Sequence, residues 1–301
     1  MASLMKRYVL VGLLAGLLSI ELASAQSFFA MRRDRSLLFV GGTGTSTYFG
    51  ELSNDGDYLQ AKPNFNVGLQ YYFTSRLGVR ADITWFQLTG SDSKSDSEGR
   101  RVRNLSFSSN NYEISAVGIL SLYPQGRSFY QRPAFNVYGF AGFGLCYFNP
   151  TTEYKGQKYS LAPLHTEGVN YSRVTPVIPM GLGIRLKVGP FMNLSFEGGW
   201  RKTFTDYLDD VSTVYVAQSS FSDPIAAALS QRGGELTPPY GPVAAGSIRG
   251  NSKSMDSYML FNAKIEYYLP TNFLEKDRGQ KKFKNKRKSF YRYNKRGGLK
   301  K

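Results

Sequence analysis

The sequence predicts an all-β fold: an eight-stranded antiparallel transmembrane β-barrel with long outer loops and a basic C-terminal tail. Three observations predict it. Eight segments alternate apolar and polar residues with period two. The connections between them alternate short and long. The ionisable residues within the segments keep to one phase of the alternation. A sheet can stand in hydrocarbon only when closed, because every backbone N–H and C=O then needs a partner in the wall.

The elements follow in chain order. Residues 1–25 read as a signal peptide. Lys6 and Arg7 precede an apolar run from Val9 to Leu18, and Ala23-Ser24-Ala25 supplies the small-residue cleavage pattern. The run is shorter than the ~20 residues of a spanning helix. Residues 26–35 form a short periplasmic segment, and the barrel occupies 36–269. Its strands are expected at 37–50, 64–73, 77–88, 112–123, 134–148, 178–188, 194–204 and 259–269. In the third, Leu77, Val79, Ala81, Ile83 and Trp85 alternate with Arg80, Asp82 and Thr84. In the eighth, Met259, Phe261, Ala263, Ile265 and Tyr267 alternate with Asn262, Lys264 and Glu266. Connections at 74–76, 124–133 and 189–193 are short, and those at 51–63, 89–111, 149–177 and 205–258 are longer. An even strand count places both termini on the short-turn rim, expected to be periplasmic.

The apolar phase is assigned to acyl chains. The other phase carries Arg80, Asp82, Glu113, Arg185, Lys187, Glu197, Arg201, Lys264 and Glu266, charges of both signs suited to pairing inside a narrow lumen. Such an interior is a plug, not a conduit. Tyr71, Phe73, Trp85, Tyr123, Trp200 and Tyr267 stand near strand ends, as interfacial girdles require. A soluble exported β-sandwich or lipocalin-like barrel is the competing fold, with its apolar phase turned inward.

Residues 270–301 are different material. Thirteen Lys/Arg against Glu275 and Asp277 give this tail a net +11 of the chain's formal +16. Lys281, Lys282, Lys284, Lys286, Arg287, Lys288, Arg292, Lys295 and Arg296, interleaved with aromatics, are read as a periplasmic partner-binding peptide. A solvated tail without a partner is the simpler alternative. Export argues against nucleic acid.

The search for chemistry is mostly negative. One Cys and one His exclude a disulfide framework and a multi-histidine metal centre. His165 lies in a long loop with no carboxylate or nucleophile placed beside it in sequence, so no catalytic residue, cofactor, metal or small-molecule substrate is expected. Cys146 is expected to act as a small apolar side chain. Gly-Gly-Thr-Gly-Thr at 41–45 lacks the helix and Lys of a phosphate loop and is read as a close-packed strand. Asp206, Asp209 and Asp210 form either a hydrogen-bonded turn at the rim or a cage of oxygens for a cation.

Three segments carry a family resemblance. They are Gly41-Gly42 with Ser46-Thr47-Tyr48-Phe49-Gly50-Glu51-Leu52, Arg132-Pro133-Ala134-Phe135 with Gly142 through Pro150, and Trp200 through Ser212. The last contains Thr205-Asp206-Tyr207-Leu208-Asp209-Asp210. Together they resemble the PorG-type outer-membrane barrels of the Bacteroidota type IX secretion and gliding machinery, on an OmpA/OmpX-like architecture. The resemblance implies a non-enzymatic component of that machinery. Its partners would be outer-membrane lipid and the periplasmic ring built by a lipoprotein and its partner (the PorK/PorN pair). A general envelope-stability or adhesion barrel acting through its outer loops is the alternative function.

Overall fold

The computed structural model describes residues 36–54, 61–125 and 131–269. The signal peptide (1–25), the 26–35 segment and the whole basic tail from 270, including Lys281, Lys282, Lys284, Lys286, Arg287, Lys288, Arg292, Lys295 and Arg296, lie outside the described residues.

Ten strands form one antiparallel sheet. They are β1 (Leu37–Phe49), β2 (Lys62–Tyr72), β3 (Leu77–Ser91), β4 (Ser106–Ser121), β5 (Phe135–Tyr147), β6 (Pro150–Tyr154), β7 (Gln157–Ser160), β8 (Val174–Lys187), β9 (Met192–Thr203) and β10 (Ser257–Tyr268). The order 3-2-1-10-9-8-5-4 is closed by a β3–β4 pairing, so eight strands make a complete barrel. The short β6–β7 hairpin stands above the wall, paired with the start of β4 at Ser108–Thr151 and Ser109–Pro150. β1 and β10 close the cylinder along a register running from Leu38–Tyr268 to Phe49–Ser257.

All eight wall strands run 11 to 16 residues, enough for a tilted crossing. Their alternation sorts the side chains by face. Every wall strand turns at least one large apolar residue outward: Phe39, Leu69, Ile83, Ile114, Phe143, Leu182, Phe196 and Phe261. Phe143 is 75% exposed and Leu182 67%, whereas Arg80 is 2% and Glu266 0%. A belt of this kind around the whole circumference is unfavourable in water and favourable in acyl chains. The chain is therefore an outer-membrane-type β-barrel. Among the described residues, no helix is long and apolar enough to cross a membrane; the crossing elements are strands. The girdle aromatics face outward as well, Tyr71 meeting Phe73 edge-on at 5.2 Å and Trp85 stacking on Phe65 at 5.6 Å.

The expected boundaries differ from the structure in four places. β3 and β4 continue beyond the periodic core, so the 89–111 connection shrinks to 92–105. There a 3-10 turn (Asp92–Lys94) and the helix α1 (Glu98–Arg103) form. Their extension is Ser- and Asn-rich and carries no hydropathy signal, because it stands in a polar setting. Residues 149–177 contain the β6–β7 hairpin rather than a plain loop. Residues 205–258 fold into a lid with the helix α2 (Pro224–Ser230), capped by the Asp223 side chain accepting from the Ile225 N–H. Lys187, expected inside, is exposed, because it falls where β8 leaves the barrel.

Inward-facing residues form three layers. Near the short-turn rim, Leu38, Val40, Tyr72, Phe191 and Tyr268 pack together. Arg132 stacks over the Tyr268 ring at 4.8 Å and donates to the carbonyls of Gly189 (2.6 Å), Pro190 (2.9 Å) and Met192 (3.0 Å), fixing the β8–β9 turn. Ion pairs occupy the middle. At the long-loop mouth, Tyr48, Phe86, Leu88, Phe107, Cys146 and Leu260 meet Leu208, Val211 and Leu229 of the lid. The lumen is thus not wholly polar, as the alternation alone suggested. Its ends are apolar because side chains there pack against a turn or a lid instead of against each other's charges.

Candidate functional site

The middle layer is a charge-balanced plug. Arg80 reaches across the lumen to Glu197 with two nitrogens, at 2.5 and 3.0 Å, and binds Asp82 at 2.7 Å on its own strand. Lys264 meets the same Glu197 at 2.6 Å, and the Tyr138 hydroxyl donates to it at 2.7 Å. Arg185 binds Glu266 at 2.5 Å, lies 4.3 Å over the Tyr138 ring, and shares Glu266 with Asn193. Arg201 lies 3.5 Å from Glu113, which also accepts from the Tyr258 hydroxyl at 2.6 Å. Four cations thus face four carboxylates, all nearly inaccessible. Bidentate guanidinium–carboxylate geometry offsets a desolvation cost that a lone charge would not survive. This arrangement fills the middle of the cylinder with paired side chains.

The second construction is the lid, whose hinge is the segment Thr205–Asp210. The Asp256 N–H donates to the Thr205 carbonyl at 3.1 Å, and the Leu208 N–H donates to Asp256 Oδ2 at 2.9 Å. Tyr207 stacks on Tyr171 at 4.5 Å, and Tyr171 stacks on Phe148. Leu208 is buried in the mouth cluster. Asp209 accepts from the Tyr48 hydroxyl (2.7 Å) and from the Val211 N–H (2.9 Å). Asp210, at a left-handed φ of 70°, accepts from Thr166 (2.5 Å) and Tyr171 (2.6 Å). The tandem acids therefore point in different directions. Asp209 accepts from β1 and Asp210 from the β7–β8 connection, while Asp206 faces Glu51 and Asp256, with carboxylate oxygens of the three within 4.8 Å of one another.

Burial governs the electrostatics of this mouth. It raises Glu51 to about 7, with the Asp206 charge adding to the rise, and it raises Asp206 to about 7. Burial also lifts Asp256 and Asp209 well above the usual carboxylate range; Asp209 adds to the rise at Asp256, and Glu51 adds to it at both. Asp210 rises to about 6 for the same desolvation, with Arg249 opposing it.

Sequence reasoning missed the residues that hold the lid down. Glu167 binds Arg249 at 2.7 Å and accepts from the Ser212 and Thr213 N–H groups at 3.0 and 2.9 Å. Arg249 also donates to the Asp210 carbonyl at 2.7 Å. Asp92 receives Arg103 at 2.6 Å and, more loosely, Arg100 at 3.4 Å. Arg232 ties the lid to Thr152 at 2.9 Å. All sit in the connections between wall strands, where no barrel periodicity marks an inward phase. Substituting Glu167→Ala strands Arg249 and two backbone donors, a loss of about 3–5 kcal/mol to lid docking. The expected result is rapid protease cleavage within 204–256 while the barrel core stays folded, read by limited proteolysis of the reconstituted protein.

The Gly-Gly-Thr-Gly-Thr run lies in β1, in the wall, and no helix follows it. His165 is exposed at a positive φ of 45° in the β7–β8 connection. Cys146 is buried in the mouth cluster. The three segments that carry the family resemblance converge at this mouth: Tyr48 and Leu52, Cys146 and Phe148, and Leu208 and Val211 belong to one cluster.

Comparison with known proteins gives a family and several distantly similar solved structures. A family described as Domain of unknown function (DUF6089) matches residues 18–221. No curated protein matches the chain. Among solved structures, Neisserial surface protein A is similar with a TM-score of 0.41 and 8% identity, over 77% of this chain and 97% of that one. Ail, the attachment invasion locus protein of Yersinia pestis, solved with the heparin analogue sucrose octasulfate, gives 0.37 and 11% over 78% and 99%. A major outer membrane protein from Thermus thermophilus gives 0.37 and 12% over 77% and 99%. The closed barrel itself follows from this chain's own strand pairing.

Proposed function

Since the chain belongs to the DUF6089 family, whose description assigns no activity, we propose a role from its own geometry and from the resemblance of its mouth segments. The protein is a non-enzymatic outer-membrane component of a type IX secretion machine, an anchor that docks the periplasmic lipoprotein ring at the membrane. The observation that carries this reading is the filled lumen. A barrel plugged by Arg80, Glu197 and Lys264 and closed at the mouth by Leu208 and Val211 has no route for cargo, so its work is to hold position. Its short-turn rim is the periplasmic face. That rim is stiffened by Arg132, and the basic tail follows β10 in sequence, offering cationic side chains to an acidic face of the ring.

The test is a clean deletion, complemented by the full chain or by a chain ending at residue 269. Expected are loss of export of proteins bearing the system's C-terminal signal, restoration by the full chain, and co-purification of the ring lipoprotein with it. Normal export in the deletion strain sinks the proposal. The folded lid, with its own helix and hydrogen-bonded surface, favours the second reading, an envelope or adhesion barrel working through its outer loops. Under that reading, removing the lid abolishes function and removing the tail does not.

A further inference from the structure

Glu51, Asp206 and Asp256 leave an electrostatic problem at the mouth that the described protein groups do not solve. Asp206 is 6% exposed, and neither of its carboxylate oxygens has a hydrogen-bond partner. The Ser212 side chain stands close enough to favour the ionised form but completes no hydrogen bond to it. Glu51 Oε2 is buried and equally unpartnered, while Glu51 Oε1 takes the Asn251 N–H at 3.1 Å. Asp256 supplies the third carboxylate, its two oxygens already oriented by the Tyr48 hydroxyl (2.8 Å) and the Leu208 N–H (2.9 Å). The nearby guanidiniums are committed elsewhere: Arg103 to Asp92, Arg249 to Glu167. Buried carboxylates without donors are costly as anions, and three together are more so.

We propose that Glu51, Asp206 and Asp256 bind a divalent cation, suited to calcium, that clamps the lid to the end of β1. The ligands are all hard oxygens and no imidazole or thiolate joins them, which selects against zinc. Oxygens within 4.8 Å of one another can share one cation, and carboxylates carried on irregular segments suit the variable oxygen coordination of calcium better than the strict octahedron of magnesium. The three ligands come from the β1–β2 loop, the start of the lid and its end, so one ion joins both lid hinges to the wall. Asp209 and Asp210 stay outside the set, as acceptors for Tyr48 and Tyr171.

The experiment uses the full mature chain in detergent micelles or nanodiscs, stripped with a chelator and titrated with calcium chloride. Calorimetry is expected to show one calcium per chain. With a dissociation constant near 1 mM, common for extracellular sites, 10 mM calcium slows cleavage of the lid about tenfold. Asp206→Asn and Glu51→Gln are expected to lose both responses. Without calcium, these amides remove like-charge repulsion, so the variants resist protease at least as well as the wild type, which separates lost binding from lost folding. Asp210→Asn keeps the calcium heat. Absence of calcium heat in the wild type, an equal response in Asp206→Asn, or protection by magnesium at the same concentration overturns the site.

Discussion

Replacing Glu197 with Ala is expected to be among the most damaging single changes to this protein. Glu197 is the counter-charge for both Arg80 and Lys264 and the acceptor of the Tyr138 hydroxyl. Its removal leaves Lys264 without a counter-charge and Arg80 with Asp82 alone, all three side chains being nearly inaccessible to water. Breaking a buried pair by deleting one partner costs about 3–5 kcal/mol, and here two cations share the deleted carboxylate. The check is denaturant unfolding of the barrel in liposomes, followed by tryptophan fluorescence and by the mobility shift of folded barrels on cold gels. The quadruple change Arg80→Met, Asp82→Val, Glu197→Leu and Lys264→Met removes the whole charged group, Asp82 included because Arg80 is its ion-pair partner, and is expected to recover most of the loss. If Glu197→Ala unfolds at the wild-type midpoint, the plug does not hold the barrel.

Gly44→Ala is expected to prevent closure outright. A methyl group at Gly44 would lie 1.7 Å from the Phe261 carbonyl oxygen and 2.8 Å from the Asn262 Cα, both backbone atoms of β10. Backbone cannot swing aside as a side-chain tip can, so the β1–β10 seam must part. The penalty exceeds the ~1–3 kcal/mol of ordinary overpacking, because ladder hydrogen bonds go with it. Gly41→Ala, three residues earlier, meets only the Phe39 ring edge at 3.6 Å and is expected to be tolerated. The pair is read by whether the outer-membrane fraction contains the compact, heat-modifiable species. Equal recovery of both variants refutes the seam argument.

These residues also mark how much was legible beforehand. The wall strands and their inward charges could be read because burial on one face imposes a strict period of two, so Arg80, Glu113 and Glu266 stand out against apolar neighbours. Their pairing could not. Arg80 and Glu197 are 117 positions apart and meet only because the sheet closes, a property of register across the lumen. The lid was illegible for another reason. Its contacts, Glu167 with Arg249 and Tyr207 with Tyr171, join irregular segments whose backbone follows no repeat. The Asp206-Tyr207-Leu208-Asp209-Asp210 segment was visible as an acidic turn, but what each acid meets depends on other segments: Tyr48 for Asp209, Thr166 for Asp210, and the carboxylates of Glu51 and Asp256 for Asp206.

The interlocked charges of the lumen bear on biogenesis. Several wall strands taken without their distant partners would carry unpaired ions into oil, since Glu113 on β4 finds its mate on β9 and Arg185 on β8 finds its own on β10. An inserted sheet lacking β9 or β10 therefore leaves buried charge unpaired, which is costly in hydrocarbon. Closing the sheet brings the last of these partners in, so closure is favoured over an open, inserted edge. Held by pairs that span the cylinder, the closed barrel is expected to unfold slowly once formed.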